Sequence, residues 1–222
     1  MRSMSLPLVI GHRGFRARYP ENTARAVAAA VAAGADGVEV DIRRTRDGVW
    51  VCHHNLENAG IYIMDQRWST LRTRGVDALE TVLAELPPSR WLFLEIKPLA
   101  RAALESGARS LQDLLAGLGA HTRILSSSET VLRFVRMALP SSPRSLVFRD
   151  VPDDLQCRDR SLSPYHRRVE QLLETGCELH PWTVNRPHRI QQLAELGVAS
   201  ITSDNPALTL EVLGRRGEET RG

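Results

Sequence analysis

The stretch Gly37-Val38-Glu39-Val40-Asp41-Ile42-Arg43 places two acids inside an apolar run. Read as a strand, its period of two sends Val38, Val40 and Ile42 to one face and Glu39 with Asp41 to the other. A second apolar run, Trp91–Lys97, puts Glu95 and Lys97 on one face and Leu94 and Ile96 on the opposite one. If the two strands are neighbours, three carboxylates converge at one strand end. Anions crowded without compensation repel, so such a cluster requires raised pKa values or a bound cation. An all-oxygen ligand set suits Mg²⁺ or Ca²⁺ better than zinc.

Working outward, His12 closes an earlier apolar run, Leu8–Gly11, and Gly14 allows a turn that a β-carbon would obstruct. After the acidic strand, Asp47-Gly48 reads as a tight turn feeding an extra strand, Val49–His53. There Trp50, Cys52 and His54 share one face and Val49, Val51 and His53 the other, so only one of the adjacent histidines can face the acids. Two imidazoles beside a metal-bound phosphodiester can supply one general base and one general acid, since the ring titrates near neutral pH.

Short apolar runs alternate with helix-period segments along the whole chain, the pattern of an α/β protein with a largely parallel sheet. Strands are expected at Leu8–Gly11, Gly37–Arg43, Trp91–Ile96, Arg123–Leu125, Ser145–Phe148, Glu178–Thr183 and Ala199–Thr202. A sixth barrel strand is expected within Asp154–Ser161. Helices are expected at Thr23–Ala33, Ala78–Leu86, Ala102–Leu118, Glu129–Leu139, Tyr165–Thr175, His188–Leu196 and Ala207–Leu213, with Asn22 or Thr23 capping the first and Gly34 ending it. Eight such alternations fit a closed barrel or a doubly wound open sheet. Neither GxGxxG nor GxxxxGK[ST] occurs, whereas polar residues sit at the C-terminal ends of several strands, which is how a barrel builds its site. The fold expected is a single (β/α)8 TIM barrel over residues 1–222 with a short hairpin extension after its second strand, and Gly214–Gly222 as a frayed tail.

The 222 residues, 42% hydrophobic, suit one domain slightly shorter than a typical barrel of ~250 residues. A net charge of +3 comes from scattered arginines, and with 5% aromatics no basic, aromatic-interleaved stretch marks a nucleic-acid surface. Cys52, Cys157 and Cys177 show no CxxC spacing, so buried free thiols are expected rather than a disulfide framework or zinc site. Pro7 interrupts the apolar start, leaving no signal-peptide core, and no run approaches the ~20 residues that span a membrane. A cytoplasmic location is therefore the expectation.

His12-Arg13-Gly14, Pro20-Glu21-Asn22-Thr23, Glu39-Val40-Asp41, Asp47-Gly48 leading to His54, and Glu95-Ile96-Lys97-Pro98 together resemble the signature of the glycerophosphodiester phosphodiesterase family, within the superfamily of phosphatidylinositol-phospholipase-like phosphodiesterases. Trp182-Thr183-Val184-Asn185 and Thr202-Ser203-Asp204-Asn205-Pro206 continue the likeness. The resemblance implies metal-dependent hydrolysis of glycerophosphodiesters to sn-glycerol 3-phosphate and an alcohol, a step of lipid and glycerol metabolism. It implies one divalent cation, Mg²⁺ or Ca²⁺, on Glu39, Asp41 and Glu95, with His12 and His54 as general acid and base. Arg13 and Lys97 would contact the phosphate, Trp182 would wall the alcohol moiety, and Glu21, Asn22 and Asn55 would support the site. It further implies attack by a substrate hydroxyl to give a cyclic phosphate that water opens.

The sequence departs from the family where His54-Asn55 stands for the usual His-Asp, so a neutral amide replaces a charge beside the ring. The loops lining the mouth are short, which leaves the head group open. Two other readings are a catalytically silent barrel that binds phosphorylated ligands and a phosphodiesterase acting on another lipid-derived diester. The partner expected is a small-molecule phosphodiester, with no nucleic acid and no integral membrane segment.

Overall fold

A computed structural model describes residues 6–116, 121–157 and 160–215. The chain runs β1 (Leu8–His12), α1 (Ala24–Ala32), β2 (Gly37–Arg44), β3 (Trp50–Cys52), β4 (Glu57–Asn58), β5 (Ile61–Tyr62), α2 (Trp68–Arg72), α3 (Leu79–Leu83) and β6 (Trp91–Ile96). It continues through α4 (Arg101–Ala116), β7 (Thr122–Ser126), α5 (Glu129–Ala138), β8 (Arg144–Phe148), β9 (Ser161–Pro164), α6 (Pro187–Glu195), β10 (Ser200–Ser203) and α7 (Pro206–Val212). The main sheet is ordered β10-β1-β2-β6-β7-β8-β9, every neighbour parallel, with β3 lying antiparallel on β2.

The segment 178–184 closes this sheet into a barrel. On one side the amides of Leu162, His180 and Trp182 donate to Glu178, Leu162 and Pro164; on the other Ala199, Thr202 and Val184 donate to Leu179, Pro181 and Thr202. The expected strand Glu178–Thr183 is thus present only as two isolated parallel bridges, Leu162 with Leu179 and Tyr165 with Trp182. Pro181 and Pro164 have no N–H to donate, which breaks the ladder.

The sixth strand lies later than expected, at Ser161–Pro164 rather than within Asp154–Ser161, because the polar run before it forms a loop; residues 158 and 159 of that range lie outside the described residues. The expected helix Tyr165–Thr175 is a 3-10 helix at His166–Thr175, ended by Gly176 at φ 68°. Gly214 and Arg215 are no tail: Arg215 clasps Asp36 through two 2.6 Å bonds, while 216–222 lie outside the described residues. Thr23 caps α1 by accepting from the Ala26 amide, which frees Asn22 for another task. The extension after β2 is larger than a hairpin, since β3 is followed by the β4–β5 hairpin, a 3-10 turn and α2.

Strand alternation divides the core into two layers. Val38, Val40, Ile42, Leu92, Leu94 and Ile96 face the helices, packed with Val27, Leu104 and Val131. Inside the barrel Ile10, Phe93, Leu125 and Val147 form a small apolar plug. Below it Arg123 lies across Trp91 and Phe93 and reaches Ser161 at 2.5 Å and Glu178 at 3.1 Å. That buried cation fills the N-terminal end of the barrel and leaves the C-terminal end open.

The expectation of three free thiols is corrected at two positions: Cys157 and Cys177 form a disulfide, with Cα atoms 5.9 Å apart, and Cys52 is buried and free. Spacing could not reveal the pairing, because the partners are joined by the fold rather than by a motif. They tie the loop before β9 to the segment that closes the barrel. Closing a loop of 20 residues stabilises a fold by about 3 kcal/mol on the chain-entropy estimate. In denaturant without reductant, thiol titration is expected to find one reactive cysteine per chain and three after reduction. Three before reduction would contradict the pairing.

Candidate active site

Asp41 pairs in register with Glu95, and Glu39 with Phe93, so the three acids meet at the C-terminal end of adjacent strands. One carboxylate oxygen from each of Glu39, Asp41 and Glu95 lies within 4.8 Å of the other two. All three are largely buried. The chain compensates with two cations and an amide. Lys97 Nζ sits 2.7 Å from both Asp41 Oδ1 and Glu95 Oε1. Arg13 reaches Glu21 at 2.7 Å and places Nε 3.0 Å from Asp41 Oδ2, near enough for ion pairing but not aligned for a hydrogen bond. Asn22 donates to Asp41 Oδ2 at 2.9 Å and accepts from the Asp41 amide at 2.9 Å.

Both supporting residues take left-handed backbone, Arg13 at φ 53° and Asn22 at φ 58°. Asn tolerates this conformation, whereas for Arg it costs roughly 1–2 kcal/mol, retained because the turn aims the Arg13 amide at Glu39 Oε2, 3.0 Å away. Gly14 at φ 81° completes the turn; a β-carbon there would lie 2.5 Å from the Ala26 backbone. Glu21 holds Arg13 and Arg16 together, the latter at 2.6 Å.

The electrostatics split the acids. Burial, then the charges of Asp41 and Glu95, push Glu39 well above the usual carboxylate range. Burial also raises Glu95 against the pull of Lys97. For Asp41 the same burial is outweighed by Lys97, Arg13 and the Asn22 bond, and its pKa is lowered. Glu39 Oε1 is buried with no hydrogen-bond partner. An orphaned carboxylate oxygen within an all-oxygen cluster fits a hard divalent cation, so the residues present can hold one.

His12 donates from Nδ1 to Asp204 Oδ1 at 2.7 Å, with Nε2 4.0 Å from Glu39 Oε2. A carboxylate can only accept, so this bond fixes the tautomer and leaves Nε2 for the site. Asp204 is itself held by Asn185, which donates to Oδ2 at 2.7 Å. Burial alone would raise Asp204, but the His12 and Asn185 bonds bring it to about 2.

On the other side, the His53 amide donates to the Asp41 carbonyl, and buried Arg43 holds the His54 carbonyl at 2.7 Å from Nη2. This seating turns His54 into the cavity and His53 outward, where Nε2 meets the Glu57 carbonyl. His54 Nδ1 faces Asn55 Oδ1 at 2.8 Å, and burial lowers its pKa. His12, Arg13, Glu39, His54, Glu95 and Lys97 share one cavity of about 230 Å³, whose outer wall includes Trp182 and Arg149.

Residues 12–97 and 129–208 match the glycerophosphoryl diester phosphodiesterase family. The chain belongs to that family. It is accordingly a phosphoric diester hydrolase. A glycerophosphodiester phosphodiesterase of Caldanaerobacter subterraneus subsp. tengcongensis is 25% identical across 95% of this chain and 99% of its own length. Among solved structures, a glycerophosphodiester phosphodiesterase from Parabacteroides distasonis superposes with a TM-score of 0.81, at 23% identity over 96% of this chain and 98% of the other. A phosphodiesterase from Oleispira antarctica, in complex with the product sn-glycerol-3-phosphate, gives 0.83 at 20% identity over 94% and 97%. These likenesses agree with the (β/α)8 architecture. No helix among the described residues is long and apolar enough to cross a membrane.

Every site residue expected from the sequence lies in or against this cluster, although Lys97 and Arg13 are engaged with carboxylates rather than standing free. Trp182 packs on the barrel plug and donates from Nε1 to the Ser163 carbonyl at 2.8 Å. Sequence reasoning assigned no part to Asp204, Asn185 or Arg43. The first two stand in quoted motifs at the ends of the last two barrel strands, where a catalytic position was already the expectation; Arg43 gave no signal.

Asp204 also makes a pH prediction. It ionises near ~3.9 in an unfolded chain and at about 2 in the fold, so its stabilisation is complete above ~4 and is lost as pH falls through about 2. The urea-midpoint advantage of wild type over Asp204→Asn is expected at about pH 5 and is expected to vanish toward about pH 2. A gap that stays constant over that range would contradict it.

Proposed function

We propose that the protein hydrolyses glycerophosphodiesters to sn-glycerol 3-phosphate and an alcohol, with one divalent cation, Mg²⁺ or Ca²⁺, held by Glu39, Asp41 and Glu95. The observation that carries this reading is the cluster of three buried carboxylates, one oxygen orphaned, within reach of two oriented imidazoles. When bound, the cation would offset negative charge developing on the phosphoryl oxygens. The product in the Oleispira antarctica structure is consistent with the substrate class.

The protein's own groups divide the proton work. Asp204 behind Nδ1 supports the positive charge that forms as His12 Nε2 accepts a proton from the attacking hydroxyl, so His12 is the general base. His54 has a neutral amide rather than a carboxylate behind it, and burial lowers its pKa, which favours release of a proton from Nε2 to the departing alkoxide. Arg13 contributes positive charge beside the phosphate through its planar fork, and Lys97 bridges Asp41 and Glu95. Trp182 offers an apolar wall to the alcohol.

Release of sn-glycerol 3-phosphate from glycerophosphoethanolamine is expected to stop in EDTA, to return with Mg²⁺ or Ca²⁺, and to be absent in Glu39→Ala. Metal-independent turnover, or an active Glu39→Ala, would sink the reading. His12→Ala and His54→Ala are each expected to lower kcat about 10²–10⁴-fold on alkyl diesters. On a glycerophospho-nitrophenol, whose leaving group needs no protonation, the His54→Ala deficit is expected to shrink while that of His12→Ala persists. Equal deficits on both substrates would reverse or void the assignment.

A further inference from the structure

Arg149 follows directly on β8 and forms part of the outer wall of the active-site cavity, opposite the acids. Its guanidinium lies over the Tyr165 ring at 4.7 Å and within 5.8 Å of the Trp182 ring. The other two cations lining the cavity, Arg13 and Lys97, are each tied to carboxylates. Arg149 has no carboxylate within ion-pair distance among the described residues; the neighbouring Asp150 is engaged by Arg168 at 2.7 Å. An aromatic-backed guanidinium of this kind is oriented but unneutralised, the state in which it grips an anion in a fork.

The surroundings have the same sign. A second cavity of about 530 Å³, lined in part by Tyr165 and Thr183, carries Arg167, Arg186 and His188 on its wall. Its one acid, Glu170, is already taken by Arg189 at 2.5 Å. Thr183, on the wall of this second cavity, lies 3.5 Å from His12 Nδ1, the side of the ring that Asp204 holds. A cationic head group approaching the Tyr165 and Trp182 rings on this side would meet the Arg149 guanidinium already there.

Resting on the reaction proposed above, we propose that the substrate carries a negative charge, a carboxylate or phosphoryl group, on its leaving alcohol, and that Arg149 is the residue that selects it. Glycerophosphodiesters with choline or ethanolamine as the leaving alcohol are then poor substrates.

Two probes differ by one carboxylate, sn-glycero-3-phosphoserine and sn-glycero-3-phosphoethanolamine. Wild type is expected to favour the serine diester by about 10-fold in kcat/KM, the scale of one charge-assisted contact. Arg149→Ala is expected to bring the ratio near one, and Arg149→Glu to invert it. Calorimetric binding of both diesters to His12→Ala gives a readout that needs no turnover. Equal turnover of the two diesters by wild type, or a ratio unchanged in Arg149→Ala, overturns this inference and leaves the reaction standing. Equal loss on both diesters in Arg149→Ala would mean that the side chain grips the reacting phosphate, and also overturns it. Arg149-dependent preference in binding with no turnover of either diester overturns the reaction and leaves the selectivity. Neither binding nor turnover overturns both.

Discussion

Three carboxylates lie largely buried at one end of a barrel, and the chain around them is arranged to make that arrangement tolerable. Uncompensated burial of even one ionised acid costs several kcal/mol, so the neighbours of Glu39, Asp41 and Glu95 are set by electrostatics before any chemistry is considered. Lys97 bridges Asp41 and Glu95, and Asn22 adds two more bonds at Asp41, one to its side chain and one from its backbone amide. What remains uncompensated is Glu39, raised in pKa and with one oxygen unpaired. The imbalance is the feature a cation would relieve, and it links the local turn at Arg13-Gly14 to the reaction at the mouth.

The barrel supplies this cluster through register alone. Parallel pairing of β2 with β6 sets Asp41 opposite Glu95, and pairing of β1 with β2 sets His12 opposite Glu39. The residue that orients His12 comes from the far end of the chain, since Asp204 follows β10, which pairs directly with β1. Closure depends on the proline-interrupted segment 178–184, whose carbonyls and amides serve both neighbours even though it forms no continuous strand. The site is thus assembled from both ends of the chain, with Asn185, at the end of the closing segment, holding Asp204.

Strand alternation at Glu39–Asp41 and Glu95–Lys97 carries most of the site in the sequence, because a period of two leaves little freedom once the strands are apolar on the other face. The choice between His53 and His54 lay beyond that pattern and is settled by two distant contacts, the Asp41 carbonyl and Arg43. The sixth strand was misplaced since Ser161–Pro164 is short, serine-rich and proline-ended, with none of the β-branched signal that marks a buried strand. The Cys157–Cys177 bond was illegible for a related reason: it records proximity created by folding. Arg149 carried no motif at all, and its place beside the site appears only when the end of β8 meets Tyr165, after β9, and Trp182 of the closing segment.

The claim on which the account rests is that Glu39, Asp41 and Glu95 form one cation site, and calorimetric titration of Ca²⁺ and Mg²⁺ into the metal-free protein, with melting followed in parallel, tests it without reference to turnover. One ion per chain is expected and, at saturation near a hundredfold over Kd, about 2.7 kcal/mol of added stability, a rise in Tm of roughly 5–11 °C. Both effects are expected to be lost in Glu39→Gln, which keeps the shape and removes the charge. No binding, or binding and melting unchanged in Glu39→Gln, would contradict it.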